Sequence, residues 1–194
     1  MPRGKKYYII YKPKGCLSQF SNEHGKRALG DFFDVPNDVY PVGRLDEDSE
    51  GLLILTNDKS LNSLLLDPSN GHWRTYWAQL SGQITKKAIK ELSEGVHISA
   101  KGVVYKTLPA KVKKGNPPQS VPVFQSSEKN TSWLRLSLRE GKYRQVRKMT
   151  AKVGFPTLQL IRTSIESLHL GTMQPGDILQ LERKPLFEKL NIRL

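Results

Sequence analysis

The longest apolar runs in this chain are short. Tyr7 to Tyr11 (YYIIY), Leu52 to Thr56 (LLILT) and Thr75 to Leu80 (TYWAQL) are rich in aromatic and branched side chains, and each is as long as a strand and too short for a helix. Trp133 to Leu138 alternates strictly: Leu134, Leu136 and Leu138 fall on one side, and Trp133, Arg135 and Ser137 on the other. That is the pattern of an antiparallel strand with one face on a core and one face towards water or a ligand. Between these runs the spacing predicts helices over Ser60 to Leu66, over Thr85 to Ser93 with Thr85 as N-cap and Gly95 as stop, and over Tyr143 to Val153 with Gly154 as stop. No repeat is detectable. Strands and helices in mixed order predict an α+β fold. With 194 residues the chain makes one domain over 1–194, or two closely joined lobes, and needs no staple. The stretch Lys113 to Asn130 concentrates Pro, Ser, Gly and Lys and reads as a long surface loop, either functional or mobile, or as a linker.

Several classes of function are weakened at once. No run approaches about 18 apolar residues, and the start MPRGKKYYII has no apolar leader region or small-residue cleavage site. A membrane role is therefore weak, and the lone Cys16 fits a reducing cytoplasm. Against 31 Lys and Arg stand 18 Asp and Glu, a net charge of +13. A surplus of that size creates a field felt beyond single contacts and favours a polyanionic partner, for which nucleic acid is the best candidate.

In so basic a chain, the segment PVGRLDEDSEGLLILTND from Pro41 to Asp58 is out of place. It sets Asp46, Glu47, Asp48 and Glu50 side by side. A carboxylate facing phosphates repels them, so a surface that only binds has no use for one there, whereas a reacting surface does. The alternative is a solvated acidic turn. Gly43 and Gly51 bracket the cluster and allow close backbone approach. Arg44 lies two residues before Asp46, so the two side chains can point the same way.

GRLDEDSEGLLILTND resembles the signature of the RsuA-type pseudouridine synthases, which act on ribosomal RNA. Glu140 to Met149 (EGKYRQVRKM) matches a further motif of that family, Arg74-Thr75-Tyr76 stands where Lys-x-Tyr is usual, and YKPKG at Tyr11 to Gly15 opens the domain in the same way. The motifs follow in the family's order and cover nearly the whole chain. Lys142 replaces a usual arginine and Arg74 a usual lysine, both keeping charge.

The resemblance implies the family's α+β catalytic domain, with a mixed, mainly antiparallel bent sheet flanked by helices and loops around a basic cleft. Only Met1 to Lys6 precede the strand that leads into YKPKG, which implies that the small S4-type RNA-binding domain of most relatives is absent. NPP, Thr131-Ser132-Trp133 and MTAKVGFPTLQLIR at Met149 to Arg162 narrow the likeness to members acting on the large-subunit (23S) RNA, near the peptidyl transferase centre. The implied partner is that RNA or its assembly intermediate, met by a monomer without membrane. The implied reaction isomerises uridine to pseudouridine without a cofactor. Asp46 would be the catalytic carboxylate, as nucleophile or as base. Tyr76 would stack the uracil and offer a hydroxyl, Arg44 would fill the space left by the flipped nucleotide, and Arg147 would pair with Asp46.

Helical geometry supports a special place for Arg147. At 100° per residue Tyr143, Val146, Met149 and Val153 form one stripe, with Arg144, Lys148 and Lys152 opposite and Arg147 at the stripe's edge. An arginine held against the protein needs an anion. Lys142, Arg144, Lys148 and Lys152 are expected to contact RNA phosphates. His24, His72, His97 and His169 are scattered, so no metal-ligand spacing exists, and no phosphate-binding glycine loop occurs, which leaves ATP and dinucleotides without a site. Glycoside hydrolysis would need a second carboxylate facing Asp46, which neighbours on a turn rarely supply. The rival of another class is a ribosome-associated RNA-binding protein without catalysis, which +13 would serve equally well.

Overall fold

The computed structural model describes residues 4–22, 25–100, 102–123 and 126–193. Eleven strands and four α-helices alternate along them. The strands are β1 (Tyr7–Lys12), β2 (Tyr40–Pro41), β3 (Glu50–Thr56), β4 (Arg74–Ser81), β5 (His97–Ala100), β6 (Val103–Lys106), β7 (Lys111–Lys114), β8 (Thr131–Leu138), β9 (Thr157–Ile165), β10 (Leu168–His169) and β11 (Ile178–Leu181). The helices are α1 (Lys59–Leu66), α2 (Lys86–Glu94), α3 (Gln145–Lys152) and α4 (Arg183–Lys189).

One sheet organises the molecule, in the order β11-β1-β3-β9-β4-β8-β7, with β2 on β3 and β10 on β9; β5 and β6 form a separate hairpin. Every pairing is antiparallel except β3 with β9. The sheet is thus mixed and mainly antiparallel, as the family resemblance implies, and its register shifts twice along β4 where that strand meets β9. At the centre, β3 is buried at all of its positions. Leu52 and Ile54 belong to one core and Leu53 and Leu55 to another, so EGLLILT shows no alternation because both of its faces are covered. In β8, Leu134, Leu136 and Leu138 sink into a third core, shared with α2 and α3, while Trp133 and Arg135 face the other way.

The predicted helices form with shifted starts. Asp58 caps α1 by accepting from the Ser60 amide, so the helix begins at Lys59, and Thr85 caps α2 by accepting from the Ala88 amide at 3.2 Å. The helix expected from Tyr143 begins at Gln145, because Arg144 adopts a left-handed backbone (φ 52°) that no helix can contain. Tyr143 is consequently exposed and leaves the stripe that Val146 and Met149 bury. The expected loop at 113–130 starts later than its composition suggests, since Lys111–Lys114 pair with β8. The segment after it is tied down by Val121, which is buried against the sheet.

Candidate active site

The acidic segment forms the turn between β2 and β3. Gly43 takes a positive φ of 72° at its start, and a side chain there would press on Leu66. Gly51 (φ 102°) closes it, in parallel register with Arg162 and so near that backbone that any Cβ would collide with it. The turn is also stitched from outside. Ser18 Oγ donates to the Leu45 carbonyl at 2.7 Å and accepts from the Leu45 amide at 3.0 Å, and the Gly15 amide donates to the Glu47 carbonyl at 2.8 Å.

Beneath the turn lies Lys12, fully buried at 0% exposure. Its Nζ donates to the carbonyls of Ser49 (2.8 Å), Pro13 (3.0 Å) and Glu47 (3.4 Å). Burial pushes its pKa down to about 8, against the pull of Glu50, Asp48 and Asp46. Among the described residues this lysine has no carboxylate partner; with two acceptors on the acidic turn and the third beside it at Pro13, it fastens the turn to the end of β1. YKPKG therefore contributes to the site, a role that the charge pattern alone does not reveal.

Three of the four acids of the turn are committed. Glu47 binds Lys26 at 2.7 Å, and Glu50 is buried and accepts from Gln159 at 2.9 Å; burial holds the Glu50 carboxyl above its ordinary range. Asp48 receives both guanidinium nitrogens of Arg144, at 2.9 and 2.7 Å. Its own burial raises its pKa, but the Arg144 hydrogen bonds and the charges of Arg147 and Arg144 outweigh that and keep the carboxylate ionised. Among the described residues neither carboxylate oxygen of Asp46 accepts a hydrogen bond, and its nearest cation is Arg144 Nη1 at 3.9 Å.

Asp46 opens into a cleft of about 830 Å3, which also receives Arg44, Tyr76, Lys142 and Arg144. Tyr76 reaches it from β4, standing opposite Arg162 of β9, which in turn stands opposite Gly51 of β3. Three adjacent strands thus bring the tyrosine to the aspartate's turn. Arg162 is buried to 4% exposure, with Nε on the Leu52 carbonyl at 2.8 Å. Arg74 fixes the approach to Tyr76 by donating to the carbonyls of Leu65 (2.8 Å) and His72 (3.2 Å).

The expected pairing of Arg147 with Asp46 is replaced by a different one. Arg147 donates to the Asp48 carbonyl at 2.7 Å and to the Thr157 carbonyl at 3.1 Å, and its Nε lies 3.3 Å from the Asp48 carboxylate. It acts on Asp46 only from farther away, through its charge. Arg144, expected on the phosphate-facing side, turns inward to Asp48 because its left-handed backbone lies before the helix and outside its periodicity. Lys142 and Lys152 are exposed and Lys148 is half-buried; Lys142 lies 5.7 Å from the Tyr105 ring centre and Lys148 4.9 Å from that of Tyr143. Arg44 is exposed at the cleft while Leu45 is buried, so Arg44 and Asp46 do share a side. Among the described residues no three His, Cys, Asp or Glu side chains converge as metal ligands, and no helix is long and apolar enough to cross a membrane.

A profile of the RNA pseudouridylate synthase family matches residues 6–152, spanning the Lys12 strand, the Asp46 turn, Tyr76 and all of α3. Ribosomal large subunit pseudouridine synthase E of Vibrio parahaemolyticus is 40% identical over 184 residues, covering 93% of this chain and 75% of that protein. The synthase E of Xanthomonas axonopodis pv. citri is 41% identical over 174 residues, covering 86% of this chain and 89% of the relative. Ribosomal large subunit pseudouridine synthase B of Bacillus subtilis is 34% identical, covering 90% and 67%. A solved pseudouridylate synthase superimposes with a TM-score of 0.77 at 26% identity, over 96% of this chain and 74% of its own. The chain belongs to the RNA pseudouridylate synthase family.

Proposed function

We propose that this enzyme converts a specific uridine of large-subunit ribosomal RNA to pseudouridine, with the region of the peptidyl transferase centre as the first place to look for it. The names of its relatives support the large-subunit target. The unbroken run of strands through both sides of the cleft supports one catalytic domain over 1–194. It works as a monomer in the cytoplasm, on the RNA or an assembly intermediate, with no cofactor.

The observation that carries the chemistry is the one uncommitted acid. The isomerisation breaks the bond between C1′ and N1 of uridine, turns the base, joins C1′ to C5, removes the C5 proton and returns a proton to N1. A carboxylate serves either as nucleophile towards the sugar or as base, and each role needs an oxygen not already hydrogen-bonded. Among the described residues Asp46 is the one acid of the turn with neither oxygen hydrogen-bonded, and its side chain is 27% exposed, whereas the unbonded Oε2 of Glu50 is buried. Tyr76 supplies an aromatic face for the uracil, and Arg44 at the cleft mouth fills the position the flipped nucleotide vacates. Flipping costs a few kcal/mol, which contacts to the RNA backbone must offset. Arg144 and Arg147 act through Asp48 and hold the turn.

Asp46→Asn tests the assignment. It keeps the shape, removes the reacting group and removes one repulsive charge, so RNA binding persists or tightens while tritium release from 5-tritiated uridine stops. Release at the parental rate would overturn the role of Asp46. Carbodiimide-based mapping in a deletion strain identifies the uridine, and a missing signal outside large-subunit RNA would overturn the target.

A further inference from the structure

Successive strand residues face opposite ways, so the sheet that sends Tyr76 into the cleft presents a second face. There Trp77 stands opposite Arg135, and Arg135 opposite Lys113, while Thr75, Ser137 and Lys111 form the next row. No strand residue on this face of β4, β7 or β8 is acidic; Glu128 approaches only at the far end of β4, where it accepts from Ser81. Lys111, Lys113 and Arg135 are exposed and, among the described residues, none is in an ion pair. A groove of about 340 Å3 runs along this face between Trp77, Arg135, Pro118, Val121 and His169. The basic track continues to the active site: Lys111 lies 4.2 Å and Arg139 4.5 Å from the ring centre of Trp73, and Arg139 also lines the catalytic cleft.

We propose that this face is a second RNA-binding site, which takes an unpaired strand flanking the target uridine as it leaves the cleft past Arg139. The inference rests on the reading that the enzyme modifies RNA. Unpaired cations on a face without strand carboxylates complement a phosphate chain. An aromatic side chain lining a groove suits an unstacked base, whereas a duplex keeps its bases stacked inside; these are the parts from which single-strand sites are built. The groove wall comes from the segment after β7, which gives that proline-containing stretch a use.

The test compares two RNAs: a stem-loop carrying the target uridine alone, and the same stem-loop with single-stranded flanks on both sides. Affinity is read by fluorescence anisotropy across a salt titration. The variant Lys113→Ala/Arg135→Ala alters exposed side chains only. For the flanked RNA, loss of two contacts reduces the log-log salt slope by about 1.4 and weakens binding about 25-fold at 0.1 M salt, at about 0.7 per contact for single strands. The bare stem-loop is bound as by the parent, and photocrosslinking of 4-thiouridine in the flank marks the peptide containing Trp77. Equal losses on both RNAs, an unchanged slope, or crosslinks confined to cleft peptides would overturn the second site. Absence of pseudouridine from both RNAs with the parent enzyme would instead overturn the proposed function, so the two failures are distinguishable.

Discussion

Replacing Lys12 with methionine keeps the volume roughly constant and removes the cation under the reactive turn. Two opposing effects act on stability. The buried ammonium carries a burial penalty visible in its pKa, which falls from 10.5 to about 8, equivalent to about 3 kcal/mol that methionine does not incur. Against this, the carbonyls of Ser49 and Pro13 lose their donor, at about 1 to 3 kcal/mol each, while the Glu47 carbonyl keeps the Gly15 amide. The net loss is under about 3 kcal/mol, so the variant folds. Catalysis has no such compensation: a turn free to move by about 1 Å costs roughly a hundredfold in rate. The pH dependence separates the two effects. Because the folded-state pKa lies below the unfolded value, the unfolded chain holds the proton between about pH 8 and 10.5, and this group makes stability rise with pH across that window. Activity moves the other way: above about pH 8 a neutral amine offers two hydrogens to three carbonyls, and the turn near Asp46, Asp48, Glu50 and Cys16 loosens. The assay is single-turnover tritium release at saturating RNA from pH 6.5 to 9.5, with melting followed in parallel. Lys12→Arg, which stays charged, removes that alkaline limb if the variant folds. A parental rate in Lys12→Met, or an identical alkaline limb in Lys12→Arg, would refute the reasoning.

Arg147→Ala should collapse the single-turnover rate even at saturating RNA, because the carbonyls of Asp48 and Thr157 lose their shared donor, whereas Lys148→Ala should react at the parental rate and lose about 0.7 to 0.9 from the salt slope of binding. Equal kinetic effects of the two would return Arg147 to the RNA surface. Gly51→Ala should unfold the centre of the sheet or lower its melting temperature by several degrees, since the added methyl meets the Arg162 backbone at a φ of 102°; thermal denaturation checks this. Conversion of a short, well-folded RNA should survive a chelator, and zinc-dependent recovery after chelation would contradict a metal-free site.

What was legible in the sequence tracks how each element is covered. YYIIY, LLILT and the alternating TSWLRLSL announce themselves because their apolar residues meet cores directly. β9 is nearly as central, yet Gln159, Arg162 and Ser164 are buried within it, and polar side chains satisfied inside a protein hide a strand from any hydropathy pattern. The same holds at the site. Asp46 and Tyr76 stand in motifs and were readable. Lys12 was not, because a lysine at the end of an apolar strand ordinarily reaches water and here does not. The Arg147 contact was misread for a narrower reason: periodicity places a side chain on a helix face, but one left-handed residue at Arg144 ends the periodicity and turns a second guanidinium inward.

That inward turn bears on how a carboxylate stays reactive in a chain of net charge +13. Left unpaired, Arg144 would close on Asp46 and engage the oxygens the reaction requires. Asp48 prevents this. It takes Arg144 at 2.7 Å and leaves that guanidinium 3.9 Å from Asp46, too far for a hydrogen bond. Arg147 is engaged likewise, by the Asp48 carbonyl and carboxylate, and Lys12 by three carbonyls below. Arg144, Arg147 and Lys12 are thus each occupied in holding the turn, while Arg44 stays exposed at the cleft, and Asp48, which looks redundant or even harmful on an RNA-binding surface, keeps the two inward-turned guanidinium groups from capping the aspartate. A surface selected only to bind RNA would have no use for Asp48, because there the arginines would serve better unpaired.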